Sequence, residues 1–327
     1  LIPAVYVLAG SGTYFTFPLG NKFALKYGFV DLPSARKQHN SPVARTGGIT
    51  IVIGFVIPIL IGLFFQTINK YYFNYSNQFI LIISGALLMF GLGLIDDIKG
   101  LSPWSRLIGQ ISIASILWAK GLDLSVIDLS SIGIDQFVID LNASISYFFT
   151  IIWLVGVTNA FNWIDGLDGL AAGIAGITSL SFILIFHKLG IYEFIFLSAI
   201  IGGTCVGFLR NNFYPAKIFM GDGGAYFLGF SLAAIALCDV TESLNDPIFI
   251  STFIILLLPL SDMALVIFKR LIQGKSPFHP DKNHLHHYLL NIGFNHKQTV
   301  VLLYYLCGAF AILGLILLNF NSIKADL

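Results

Sequence analysis

The sequence predicts an all-α protein, a polytopic membrane helix bundle of about ten transmembrane helices with a small extracytoplasmic β-hairpin. Three observations carry this expectation. Of 327 residues, 56% are hydrophobic and only 11% charged, with a mean hydropathy of +0.84; soluble domains are far more polar. Apolar runs of roughly 20 residues, enough to cross a hydrocarbon core, recur from end to end. The basic residues, finally, gather on one side of those runs.

The runs lie near 1–19, 47–66, 78–95, 105–120, 144–160, 167–187, 190–209, 224–238, 248–268 and 298–319. The first has no basic stretch before it and no cleavage signal after it, so it reads as a span and not as a signal peptide. The chain opens on Leu1, which leaves residues upstream open. Between the fourth and fifth runs, residues 122–141 alternate apolar and polar in two stretches around Ser130-Ser131 and Gly133, the pattern of a hairpin with a structural role. No internal repeat is visible. With the first connection cytoplasmic, 14 of the 18 Lys and Arg lie on that side and four, Lys70, Lys120, Lys188 and Lys324, on the other. That split is a positive-inside signal, and it turns both termini outward.

The chain reads as one integral membrane domain over residues 1–327. Its formal charge of +1 says little, because distribution matters more than sum; no nucleic-acid partner is expected. Cys205, Cys238 and Cys307 sit in or beside apolar runs without metal-ligand spacing, so they read as packing residues and not as a disulfide framework.

The acidic, amide and histidine clusters fall in polar gaps on the positive side, although the topology is assigned without them. A transporter would scatter such groups through the bilayer depth; an enzyme joining a water-soluble substrate to a lipid needs them at one face. Asp96-Asp97 ends an apolar run in GLGLIDDIKGLSPWSR, where adjacent carboxylates repel unless a cation or water separates them; the plainer reading is a solvated helix end. Arg106, ten positions after Asp96, can return to the same face as a phosphate ligand, or serve as one more anchor. In TNAFNWIDGLDGLAAG, Asn159, Asn162, Asp165 and Asp168 recur every third residue. On a helix that spacing drifts by about 60° per step, so the two Asp-Gly pairs imply that the helix breaks into a loop.

Asp222, in KIFMGDGGAYFLG, is flanked by glycines that admit a close ligand and leave amide donors free, or that make a simple turn. Asp and Asn oxygens are hard donors, so the expected ion is Mg²⁺, with Mn²⁺ as substitute. In FHPDKNHLHHYLL, His284 and His287 are spaced to share a helix face with His286 offset. Without cysteines and beside oxygen ligands they read as hydrogen-bond donors to phosphate or sugar, not as zinc ligands.

With RKQHNSPVARTGGI at 36–49, GLIDDIKGLSPWSR, VTNAFNWIDGLDGLAAG, NFYPAKIFMGDGGAYFLGF and GKSPFHPDKNHLHHYLLNIGF in this order, the chain resembles the polyprenyl-phosphate N-acetylhexosamine-1-phosphate transferases of glycosyltransferase family 4, relatives of the phospho-N-acetylmuramoyl-pentapeptide transferase. The resemblance implies transfer of a sugar 1-phosphate from a UDP-N-acetylhexosamine to undecaprenyl phosphate with release of UMP, at the cytoplasmic face of a bacterial inner membrane. It implies Mg²⁺ on Asp222 and Asn162, uridine recognition by Asp168 with Asn159 nearby and Asp165 in the same binding loop, and placement of the acceptor phosphate by Asp96, Asp97 and Arg106. His284, His286 and His287, with Arg45 and Lys37, would bind donor phosphates and sugar. Asp96, Asp97, Asp222 and His284 are the catalytic candidates. A homodimer is left open. The HLHH form resembles the N-acetylhexosamine branch, not the muramoyl branch with its three consecutive histidines. GDGGAY departs from the commoner GD-small-GS form, which leaves the sugar open.

Two readings from other classes are weaker. A cation-coupled transporter should bury carboxylates near the midplane, and only Asp262 approaches that. A CDP-alcohol phosphotransferase needs an acidic pattern that breaks here after Asp168-Gly169.

Overall fold

The computed structural model describes residues 2–31, 43–69, 75–128, 138–238, 248–278 and 283–325. In chain order these form α1 (Ile2–Tyr27), β1 (Val30–Asp31), β2 (Val43–Ala44), α2 (Gly47–Asn69), α3 (Asn77–Lys99), α4 (Pro103–Trp118), β3 (Val126–Asp128) and β4 (Val138–Asp140). There follow α5 (Ala143–Ile164), α6 (Leu170–Leu189), α7 (Tyr192–Asn212), α8 (Gly221–Ile235), α9 (Ile248–Ile255), α10 (Leu257–Ile272), α11 (Leu285–Asn291) and α12 (His296–Ala325).

The protein is an all-α membrane bundle. Six helices, α2, α3, α5, α6, α7 and α12, are long and apolar enough to cross a membrane, and the bent pair α9–α10 makes a seventh. The other three expected spans are helical at α1, α4 and α8 without meeting that test. α4 and α8 have 16 and 15 residues, and at about 1.5 Å per residue neither reaches the ~30 Å of a hydrocarbon core. β3 and β4 pair antiparallel, with Ile127 opposite Ile139; the residues between them, Ser130, Ser131 and Gly133 included, lie outside the described part.

α8 is the core of the bundle. Every residue in it except Asp222 is buried, and α3, α5 and α2 pack around it. Trp153 on α5 donates its indole N–H to the Ala233 carbonyl at 2.9 Å. α3 crosses α8 closely at Gly93, where a Cβ would lie 2.6 Å from the backbone of both Asp222 and Gly223. α1 and α7 cross as closely through Gly203 and Gly207, the small-xxx-small spacing of membrane helix pairs.

Local signals at the helix ends place the polar groups. α3 stops at Gly100, which takes the left-handed conformation at φ 63°. Two residues later Ser102 caps α4, with Pro103 at the first turn. This four-residue reversal folds α4 back along α3. The break between α9 and α10 bends the chain by 65°. Pro259 accounts for it, since it lacks an N–H for the Ile255 carbonyl and its ring clashes there.

Gly93→Ala should therefore displace the start of α8, costing about 1–3 kcal/mol of overpacking. Gly91, with nothing within 4 Å of its missing Cβ, is the control. Thermal unfolding and turnover of both purified variants check this: the Gly93 variant should lose both, and Gly91→Ala neither.

Candidate active site

The reversal between α3 and α4 brings Arg106 back to Asp96. The guanidinium Nη1 lies 3.1 Å from one carboxylate oxygen of Asp96, whose other oxygen accepts the Leu101 N–H at 2.7 Å. Arg106 also stands 4.0 Å from Asp222. Asp96 is buried and within hydrogen-bonding reach of Asp222. Asp97 faces the other way and accepts the backbone N–H groups of Asp222 and Gly223, both at 3.0 Å. It thus caps the buried N-terminus of α8, a helix whose own preceding residue, Met220, offers no cap.

α5 continues through Asn159 and Asn162 and ends at Asp165; Gly169, at φ 82°, starts α6 after a loop. The helix thus breaks between the two Asp-Gly pairs. Asn162 donates its side-chain N–H to Asp222 at 2.7 Å. Asn159, a turn deeper, donates to Gln110 of α4 at 2.6 Å and to the Val155 carbonyl. Asp168 accepts the Ala216 N–H at 2.9 Å, tying its loop to the segment before α8. Asn159 thus bonds toward α4 and Asp168 toward the segment before α8, and no hydrogen bond joins the two among the described residues. Asp165 stands among carboxylates. Burial first, then the charges of Asp222, Asp168 and Asp97, hold its carboxyl well above the usual range, with Arg45 opposing them.

The histidines differ from the expected face-sharing of His284 and His287. His284 has extended backbone and precedes α11, so helical spacing starts one residue too late to pair it with His287. The rings run in the order His284, His286, His287 instead, with centroids 5.5 and 4.3 Å apart. His286 is buried, its Nδ1 lacks a protein partner, and its ring lies where a Cβ on Gly166 would fall. Burial and its histidine neighbours push His286 down to about 3, so it is neutral at physiological pH. His284 donates from Nδ1 to Asp262 at 2.8 Å, since an ionised carboxylate can only accept.

Arg45 follows β2 and is exposed, near enough to Asp97 and Asp165 to favour their charged forms. Lys37 lies outside the described residues. Backbone bonds stitch this first loop to the FMGDGG segment: Phe219 donates to Ala44, Gly47 to Phe219 and Gly48 to Met220. Segments far apart in sequence are thereby held in one layer.

Two cavities flank this centre. One of about 420 Å³ is lined by Phe29, Arg45, Thr46 and Asp97. The other, about 330 Å³, runs between α4, α5 and α10, with Leu107, Ile111, Ile152, Met263 and Ile267 as apolar walls and Arg106, Asn159 and Asn162 at its polar end.

Among the described residues no three of His, Cys, Asp and Glu close on one point as a protein-only cage would. Mg²⁺ needs less, because one or two carboxylates with waters and substrate phosphates suffice. Asp222, with Asn162 against it and Asp96 in reach, presents such hard oxygens and fits that ion. Residues that sequence reading did not place at the site are Gln110, Trp163, Arg270 and above all Asp262, which it weighed only for a transporter. A lone carboxylate inside an apolar run was the available signal for the last.

A raised carboxyl is favourable to the fold while protonated and unfavourable once charged, so its penalty grows as pH rises through its folded-state value. Asp165→Asn should therefore raise the thermal midpoint of ligand-free protein at pH 8 by at least about 2 °C, the shift expected from roughly 1 kcal/mol. The difference should vanish near pH 4. Melting curves across that range check it.

Comparisons with known proteins agree with this arrangement. The model of glycosyl transferase family 4 matches residues 79–239, which contain Asp96 through Asp222. The chain is 33% identical over 322 residues to a decaprenyl-phosphate N-acetylglucosaminephosphotransferase of Mycobacterium tuberculosis, covering 91% of this chain and 78% of the relative. It is 33% identical over 301 residues to a probable undecaprenyl-phosphate N-acetylglucosaminyl 1-phosphate transferase of Bacillus subtilis, covering 92% and 80%. With the undecaprenyl-phosphate alpha-N-acetylglucosaminyl 1-phosphate transferase of Escherichia coli K12 the identity is 30% over 314 residues, covering 93% and 80%. At this similarity over nearly the whole chain, the protein belongs to glycosyl transferase family 4, among the polyprenyl-phosphate N-acetylglucosamine-phosphate transferases.

Proposed function

We propose that the protein transfers N-acetylglucosamine 1-phosphate from UDP-N-acetylglucosamine to undecaprenyl phosphate, giving the lipid-linked diphosphate sugar and UMP, as the first membrane step of a cell-envelope glycan. The observation that carries this is one centre, Asp96, Asp222, Arg106 and Asn162, at the polar end of an apolar groove. A prenyl chain fits a groove walled by Leu, Ile and Met, and its phosphate then reaches Arg106. The names of the relatives support the donor and acceptor. The HLHH spelling argues against a muramoyl-pentapeptide donor. The transporter reading loses its one support, because Asp262 is occupied by His284 and the Leu285 N–H.

In this reading Asp222 and Asn162 would hold Mg²⁺, which when bound would supply positive charge for the donor diphosphate. Asp165 and Asp168 line the nucleoside side, and His284 and Arg45 face the donor phosphates. Asp97 acts through the position of Asp222. The acceptor phosphate, with a second pKa near ~6, is already mostly dianionic and needs no general base. One of its oxygens bonds to the β-phosphorus, the bond from that phosphorus to the bridging oxygen breaks, and UMP leaves with the electron pair. Both oxygens of Asp97 accept backbone N–H groups, which favours direct attack over an aspartyl intermediate there. The proposed site faces the cytoplasm of a bacterial inner membrane, in a single domain whose three remaining spans would be α1 and, short as they are, α4 and α8.

Purified protein with undecaprenyl phosphate should release UMP from UDP-N-acetylglucosamine in preference to other UDP-sugars. Chelator should stop it, Mg²⁺ or Mn²⁺ should restore it, and Asp222→Asn should lose at least about 100-fold, the scale on which electrostatic transition-state contacts act. Full turnover in excess chelator would sink the metal assignment.

Without acceptor, labelled UDP-sugar should give neither phosphorylated protein nor a stoichiometric burst of UMP. A burst of one equivalent per site, with ping-pong kinetics, would replace direct attack by double displacement.

A further inference from the structure

Asp262 is the one described carboxylate that sits inside the bent α9–α10 span. It is buried on α10, and both of its oxygens are taken: His284 Nδ1 donates to one at 2.8 Å and the Leu285 backbone N–H to the other at 2.7 Å. A buried carboxylate is costly unless such charge-assisted bonds satisfy it. Here both donors come from the histidine segment, so the bonds that satisfy Asp262 also dock that segment on the bundle.

The same place is closed from a second direction. Arg270, two turns along α10, lies 4.8 Å from the centre of the Trp163 ring and donates to the Pro277 carbonyl. The edge of Trp163 meets His284, with ring centroids 5.9 Å apart. Trp163 directly follows Asn162, which holds Asp222. His284 is therefore fixed by one hydrogen bond to Asp262 and one T-shaped ring contact with the residue next to the acidic centre.

We propose that Asp262 is the positioning residue of the histidine cluster. Its carboxylate accepts the Nδ1–H of His284 and fixes one ring orientation, so that Nε2 is the nitrogen that meets the donor diphosphate, donating its own N–H to a phosphate oxygen from the imidazolium form. This rests on the reading of His284 as a donor contact. A carboxylate behind a functional imidazole sets its tautomer and direction, and loss of such a partner costs about 10- to 100-fold in the metal-ligand cases where it has been measured.

Two independent comparisons test this on the full-length enzyme in Mg²⁺ with UDP-N-acetylglucosamine and undecaprenyl phosphate. In the first, kcat and both KM values are measured for wild type, Asp262→Asn, His284→Asn and the double variant, with a thermal midpoint for each. Asp262→Asn keeps the shape and one accepting oxygen. It should lower kcat by about 10- to 100-fold with the acceptor KM within about twofold, and the double variant should be no slower than His284→Asn alone. Losses that multiply in the double variant, or Asp262→Asn with wild-type kcat, overturn the proposal.

The second comparison stands even if Asp262→Asn fails to fold. His284→Gln carries its amide at the position of Nε2, and His284→Asn at that of Nδ1. The glutamine variant should keep more activity than the asparagine variant; the reverse order, or equality, overturns the assignment of Nε2. Absence of UMP release from wild type would instead overturn the proposed reaction, which separates that failure from failure of the positioning role.

Discussion

The site depends on how the N-terminus of a buried helix is satisfied. α8 lies within the bundle with every residue but Asp222 buried, and a buried amide left unpaired costs a few kcal/mol. Asp97 supplies both acceptors that Asp222 and Gly223 need. Its negative charge also suits the positive end of the helix dipole. Because Asp97 ends α3 and Asp222 begins α8, one capping interaction joins two helices and sets their carboxylates side by side. The absence of a side chain at Gly93 lets the two backbones come that close.

This convergence gathers Asp96, Asp97, Asp165, Asp168 and Asp222 with Arg45 and Arg106 as the facing cations. Such a centre is poorly suited to an anion on its own. For the proposed substrates, with three phosphates between them, extra positive charge would be required, and Asp222 with Asn162 would hold a divalent ion able to supply it. The burial of His286 adds to it, since a neutral imidazole contributes a hydrogen bond but no charge. In the proposed reaction the counter-charge would then come from Arg106, Arg45, His284 and the proposed ion.

Apolar periodicity located the helices well, because hydrophobic runs are forced by the bilayer. The break after α5 was legible from the Asp-Gly pairs, and the return of Arg106 to Asp96 from a spacing of ten residues with Gly100 and Pro103 between them. Other features left no local trace. Asp97 looks like an acceptor ligand in sequence, yet its partners are backbone amides 125 and 126 residues away. Asp262 looked like a stray midplane carboxylate, since its partner His284 lies beyond the end of its own helix. The histidine order was missed because the helix starts at Leu285, and a cap position does not obey helical spacing. The hydropathy of α4 and α8 suggested spans, and what it could not give is their length, because early caps hold them to 16 and 15 residues.

The bend at Leu256 has a consequence for how rates should be expressed. By turning α10 away from α9, it leaves a groove whose wall includes Ile152, half exposed on the outer surface of the bundle. In the proposed membrane setting such an opening would face lipid, not solvent. A prenyl phosphate entering there arrives by two-dimensional diffusion, so saturation follows its mole fraction in the surrounding membrane or micelle and not its molar concentration in the tube. Diluting the enzyme into more detergent at fixed acceptor would then slow it as an inhibitor does, while the dependence on the nucleotide donor, which arrives from three dimensions, stays where it was.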